Sequence, residues 1–225
     1  MFAATLITLV PEAFPGPLGV SILERAREKG LWSLETIDLR TFGVGKHRNV
    51  DDTPAGGGAG MVIRPDVAAS AIDSIPRDGR PLVYLSPRGK PFNQEKAREW
   101  AAGPGLVLFC GRFEGLDERV IEGREMEEVS LGDFVLAGGE VAAMAFIEAV
   151  VRLLPGVAGN EASLMEESFE HGLLEHAQYT MPREWEGRPT PDVLLSGDHK
   201  RIEEWRKNSA KTLTKHRRPD LYAAY

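Results

Sequence analysis

Two short runs, "PLVYLSP" (81–87) and "LVLFCG" (106–111), are apolar at almost every position. A strand with one face in water alternates apolar and polar residues. A continuous apolar run belongs to a strand covered on both faces, as in a parallel sheet. Between the two runs lies "NQEKAREWAA", which reads as a helix with Asn93 as its N-cap. Strand, helix and strand in this order require a crossover, so the chain is expected to be α/β with a largely parallel sheet.

The rest of the N-terminal part continues that rhythm. "ATLITLV" (4–10) reads as a buried strand. "LGVSILERAREKG" reads as a helix stopped at Gly30, and "LETIDLR" alternates as a half-buried strand. "SLGDFVLAGG" (130–139) reads as a strand-like run ending in two glycines. It leads into "EVAAMAFIEAVVRLLPG", apolar almost all round and therefore a buried or interface helix.

Composition then changes sign. Glu161 to Glu175 holds five acids and no Lys or Arg, and is expected to be a mobile linker. Ser196 to Asp220 holds eight basic residues against four acids and reads as one helix capped near Asp198. The net charge of the whole chain, -7, gives no global sign of nucleic-acid binding, so this local basic segment carries that question. From charge alone it is as well explained as a solvated face.

Several chemistries find no support. The five histidines show neither HExxH nor zinc-ribbon spacing, so no metal site is expected. There is no Gly-x-Ser-x-Gly elbow. Cys110, the one cysteine, has no partner base and reads as a buried apolar residue in a reducing, cytoplasmic compartment. The apolar start lacks a basic flank and is broken by Pro11, so it is read as a strand rather than a leader. No apolar run approaches a membrane span. "AGGGAGMVIRP" misses both GxGxxG and the P-loop ending, and reads as a flexible turn. Lys46, His47 and Arg48 just before it could meet phosphate or simply be solvated.

Three candidate strand ends remain: "YLSPRG", "FCGRFEG" and "LGDFVLAGG". Ligands of parallel sheets sit outside the carboxyl ends of the strands. Glycine-bearing loops there admit a flat group against bare main chain, which suits a nucleoside better than a phosphate.

These stretches, with "PEAF", "VDDTPAGGGAGM", "LFCGRFEGLDERVIE", "SLGDFVLAGGEVAAM", "LLPGV" and "TPDVLLSGDHKRIEEWR", resemble the bacterial tRNA (guanine-N1)-methyltransferases, the TrmD family of the SPOUT class. The resemblance runs collinearly from Phe2 to about Leu221, and the family usually continues beyond the final "RRPDLYAAY". It implies a SPOUT-type parallel sheet with a C-terminal trefoil knot, plus a small, mostly helical C-terminal domain. The organisation it implies is a cofactor-binding catalytic domain over 1–157, the acidic mobile linker over 158–175 and a tRNA-binding domain over 176–225.

The resemblance also implies S-adenosyl-L-methionine as cofactor. The loops implied to hold it contain Tyr84, Leu85 and Pro87; Gly111 and Glu114; and Leu131, Gly132, Asp133, Phe134, Val135, Leu136, Gly138 and Gly139. Gly138 and Gly139 would let the cofactor approach the main chain. A homodimer with shared active sites, acting on the guanosine 3′ of the anticodon of tRNA, completes the family picture.

Methylating guanine N1 requires a base for its proton and a cation near O6. The family's base is an aspartate in an E-D-S-F-type stretch, which here reads "EESF", so the matching residue is Glu167, with Glu166 and Glu170 as alternatives. Arg152 is the candidate cation, against the plain alternative of a surface pair with Glu148. Other departures are Glu175 for a second acid, Met181 for an arginine and Ala142 for a proline. Another SPOUT methyltransferase with a different RNA target, or a tRNA-binding protein that has lost catalysis, are the alternatives.

Overall fold

The computed structural model describes residues 1–159 and 167–225. The chain divides into two compact units after Gly159.

The first unit is built on five parallel strands: β1 (Phe2–Thr8), β2 (Trp32–Asp38), β5 (Leu82–Pro91), β6 (Gly105–Cys110) and β7 (Glu127–Ser130), in the order β2-β1-β6-β5-β7. Two-residue strands β3 (Asp51–Asp52) and β4 (Val62–Ile63) pair separately as a hairpin. Helices α1 (Ser21–Glu28), α3 (Gln94–Ala101) and α5 (Glu140–Val151) cover one face of the sheet, and α2 (Pro65–Asp73) and α4 (Glu118–Gly123) the other. The pleat explains the uninterrupted apolar run of β6. Leu106, Leu108 and Cys110 join the core under α3 and α5, while Val107 and Phe109 join the core under α2 and α4. The expectations for β1, β2, β6 and α3 hold, down to the Asn93 cap, whose side chain accepts from the Lys96 amide at 2.9 Å. Gly30 follows α1 with φ +71°, where the helix stops.

One strand differs from expectation. The run 130–139 is not a strand: β7 ends at Ser130. The Ser130 hydroxyl accepts from the Gly132 amide at 3.1 Å and lies 3.0 Å from the Gly132 carbonyl, a side-chain turn that takes the chain out of the ladder. Phe134, Val135 and Leu136 of this run are exposed, Val135 to 84%.

The second unit holds a two-stranded hairpin, β8 (Glu184–Trp185) and β9 (Arg188–Pro189), then helices α6 (Asp192–Leu195), α7 (His199–Arg217) and α8 (Pro219–Ala224). The basic segment is one helix, α7, and Asp198 caps it by accepting from the Arg201 amide. Of the acidic stretch expected as a linker, residues 160–166 lie outside the described residues, and Glu161 and Glu166 with them. Residues 167–175 make hydrogen bonds within this unit. The buried Thr214 hydroxyl of α7 accepts from the Leu174 amide at 2.9 Å, and Ser168 accepts from the Glu175 amide at 3.0 Å. Ser209 accepts from the Ala177 amide at 3.1 Å just beyond.

Among the described residues no helix is long and apolar enough to cross a membrane. No group of three or more His, Cys, Asp or Glu among them could hold a metal ion.

Candidate functional site

The carboxyl ends of β5, β6 and β7 surround a cavity of about 300 Å³. That lies at the lower end of the range of small-molecule sites, and in the crevice where parallel sheets bind ligands. Three segments wall it. Tyr84 to Arg88 belong to β5 and its bulge, Gly111 to Leu116 follow β6, and Val129 to Gly139 run from the end of β7 to the start of α5, with Ala142 of α5 behind.

Each segment has a physical reason for its course. On β5, the register against β7 shifts between Leu85 and Lys90, so residues 86–89 bulge out of the ladder. Arg88 on this bulge is held by Glu118 and Glu128, each at 3.0 Å. On β6, the segment 111–116 is fixed from two sides. The buried Tyr84 hydroxyl accepts from the Leu116 amide at 3.1 Å. The glycine-rich hairpin loop supplies further bonds, Glu114 N–H to the Met61 carbonyl and Ile63 N–H to the Gly115 carbonyl, both 2.9 Å. The loop "AGGGAG", expected as a flexible turn, thus leads directly into a wall of the cavity.

Burial raises the Tyr84 phenol above its ordinary value, so it is neutral and stays a tether. Tyr84→Phe should leave the Leu116 amide without its partner, lower stability by about 1 kcal/mol and weaken ligand binding several-fold, as thermal unfolding and calorimetry would show.

The segment 131–139 is held at its far end. Gly139 donates its amide to the Gly111 carbonyl at 2.9 Å, which carries the chain from β7 across the end of β5 to β6. The two glycines here also have close neighbours within the protein. A Cβ on Gly139 would lie 2.8 Å from the Cys110 Cα, and one on Gly138 would lie 2.3 Å from the Arg112 Nε. At Gly139 the close neighbours are main-chain atoms, so packing by itself favours glycine there, and at Gly138 they are the side chains of Arg112 and Glu140.

Twelve of the thirteen residues named from sequence for cofactor binding line this one cavity: Tyr84, Leu85, Pro87, Gly111, Glu114, Leu131, Gly132, Phe134, Val135, Leu136, Gly138 and Gly139. Asp133 is exposed in the same loop but off the wall. Sequence reasoning missed Arg88, Arg112 and Phe113, which also line it. Arg112 pairs with Glu140, 28 positions away, so spacing gave no signal for the pair.

A family model described as tRNA (Guanine-1)-methyltransferase TrmD matches residues 2–224. The chain belongs to this family. It is 60% identical over 225 residues to the tRNA (guanine-N(1)-)-methyltransferase of Caulobacter vibrioides, covering 100% of this chain and 92% of that one. The protein of the same name from Cereibacter sphaeroides is 61% identical over 228 residues, covering 99% and 92%. That of Brucella ovis is 57% identical over 224 residues, covering 100% and 92%.

A methyl donor of the S-adenosyl-L-methionine type can be tested against the residues present. The cavity wall carries apolar side chains such as Leu85, Leu131 and Val135 beside the glycines Gly111, Gly132, Gly138 and Gly139. The amides of Val135, Leu136, Ala137 and Gly138 have no hydrogen-bond partner among the described residues. Unpaired amides beside exposed apolar side chains suit the edge and face of an adenine, so the residues fit such a group.

Two further residues of the first unit singled out from sequence, Cys110 and Arg152, do not line the cavity. Cys110 is buried, and burial, then the nearby Glu140 charge, pushes its thiol well above the ordinary range, so it is inert. Arg152 caps the far end of α5, about 15 Å along the axis from Ala142. Its amide donates to the Glu148 carbonyl at 3.2 Å. Glu167 is half-buried and opens the described part of the second unit.

Proposed function

We propose that this protein methylates N1 of guanosine 37 in tRNA, just 3′ of the anticodon, with S-adenosyl-L-methionine as donor. Family membership supports the reaction, and one structural observation supports the donor. Twelve residues named for cofactor binding, scattered over Tyr84 to Gly139, meet around one cavity with unpaired main-chain amides in its wall.

The loops 84–88, 111–116 and 131–139 would hold the donor, Tyr84 and Arg88 by fixing those loops and Leu136 to Gly138 by their main chain. When bound, the donor supplies an electrophilic methyl on a sulfonium. Guanine N1 would take that methyl, and the donor would leave as a neutral thioether. The N1 proton passes to a carboxylate, assigned to Glu167. Arg152 is assigned to the charge that develops at guanine O6.

The family arrangement, a homodimer sharing its active sites between knotted sheets and C-terminal domains, is part of this proposal. The passage of residues 131–139 across the end of β5 is consistent with a knot. The basic helix α7 is assigned to tRNA phosphates, and the tRNA substrate to a cytoplasmic setting.

Holding the carboxylate has a structural side. Thr214 donates to the Ala210 carbonyl at 2.7 Å and accepts from the Leu174 amide. Thr214→Val keeps the shape and removes both bonds. It should lower kcat several-fold through misplaced residues 167–175, with the affinity for the donor unchanged.

The test of the function is nucleoside mass spectrometry of a tRNA transcript after incubation with enzyme and donor. The expected product is 1-methylguanosine at position 37, absent when that guanosine is replaced. A methylated ribose, or methyl on another nucleotide, would refute the assignment.

A further inference from the structure

Glu140 is the first residue of α5 and is 4% exposed. A buried carboxylate needs strong partners, because its desolvation is otherwise uncompensated. It has two. The buried Thr8 hydroxyl, at the end of β1, donates to Oε1 at 2.8 Å. Arg112 donates from Nε to Oε1 at 3.3 Å and from Nη2 to Oε2 at 3.0 Å.

Arg112 is the informative member. It lines the cavity, and its Nη1 also donates to the Ala137 carbonyl at 3.4 Å, within the loop assigned to the donor. A fixed positive charge is therefore built into the wall of a site assigned to a positively charged sulfonium. Like charges in a partly dry site oppose one another strongly. The other cation of the wall, Arg88, is bracketed by Glu118 and Glu128. Arg112 has a single acidic partner among the described residues, and it is Glu140.

We propose that Glu140 is a positioning residue that compensates Arg112, so that the cavity accepts a cationic methyl donor while its loop stays tethered. The inference rests on the reading of the cavity given under Proposed function. It separates two ligands that share every group but one. S-adenosyl-L-methionine carries the sulfonium charge, and its demethylated product is a neutral thioether. A purely structural role for Glu140 would weaken both alike. Charge compensation acts on the cation alone.

The experiment is calorimetric titration of both ligands into wild type, Glu140→Gln, Arg112→Gln and the double variant. Glu140→Gln should raise the donor-to-product ratio of dissociation constants about tenfold relative to wild type. Arg112→Gln should lower that ratio several-fold, and the double variant should return it close to the wild-type value. A ratio unchanged within about twofold in Glu140→Gln would overturn the proposal, whatever the loss in both affinities. If that variant fails to fold, Arg112→Gln decides alone: a lowered ratio supports compensation and an unchanged one refutes it. Failure of the underlying cavity assignment looks different, since wild type would then bind neither ligand.

Discussion

Glu167→Ala should lower kcat for methyl transfer by a factor of about 10² to 10⁴ and leave donor binding unchanged. Guanine N1 is protonated in the neutral base, so the methyl cannot be transferred without a proton acceptor, and a positioned base supplies rate enhancement of that order. The residue is half-buried at the head of a segment whose amides are held by Thr214 and Ser209 of α7. Removing the carboxylate leaves those bonds intact, so the loss should fall on the chemical step. Single-turnover rates at saturating donor and tRNA check this. Glu167→Asp carries the family's residue at this position and should retain activity within about tenfold of wild type. Full activity in the alanine variant would remove Glu167 from the role and leave the base among the neighbouring acids.

Gly139→Val should weaken donor binding about a hundredfold and destabilise the first unit by about 1–3 kcal/mol. Gly139 has φ -78°, which any residue adopts, so backbone freedom is not the reason for glycine here. Proximity is the reason. A Cβ would sit 2.8 Å from the Cys110 Cα and 3.1 Å from the Gly111 nitrogen, both main-chain atoms that cannot swing away. Segment 131–139 would have to lift from the end of β6 and lose the Gly139–Gly111 hydrogen bond. Because that segment forms one wall of the cavity, the affinity should fall more steeply than the stability. Calorimetry and thermal unfolding on the same sample measure the two effects. Equal binding in the variant would show that the segment does not hold the donor.

The buried strands were legible because a sheet covered on both faces has nowhere to put polar residues. Leu106 to Cys110 feed two cores on opposite faces, and no other arrangement suits such a run. The strand reading failed beyond Ser130, where Phe134, Val135 and Leu136 lie exposed in a loop. An apolar side chain kept for a ligand and one kept for a core look alike in a linear sequence. They differ only in what covers them, and these three are exposed. At 138 and 139 the glycines also pack against an ion pair and a neighbouring strand end, which no local pattern shows.

The Thr8–Glu140–Arg112 cluster lay beyond any local pattern. Its members come from the ends of β1 and β6 and the start of α5, with 132 positions separating Thr8 from Glu140. Only the strand order, which sets β1 beside β6, makes them neighbours. The glycine-rich turn 55–60 was similarly opaque. Its relevance comes from the bonds that Met61 and Ile63 make to the 114–115 main chain, which no spacing rule encodes. The assignment of Glu167 came from family resemblance alone, since nothing in an acidic run marks one carboxylate over its neighbours.

The most direct test of the central claim is a crystal structure of the protein with an unreactive analogue of the methyl donor. The account predicts ligand density between Tyr84, Gly111 and Leu136, with its base against the main chain of residues 135–138. Density at another site, with this cavity empty at saturating ligand in an enzyme that still methylates tRNA, would contradict it.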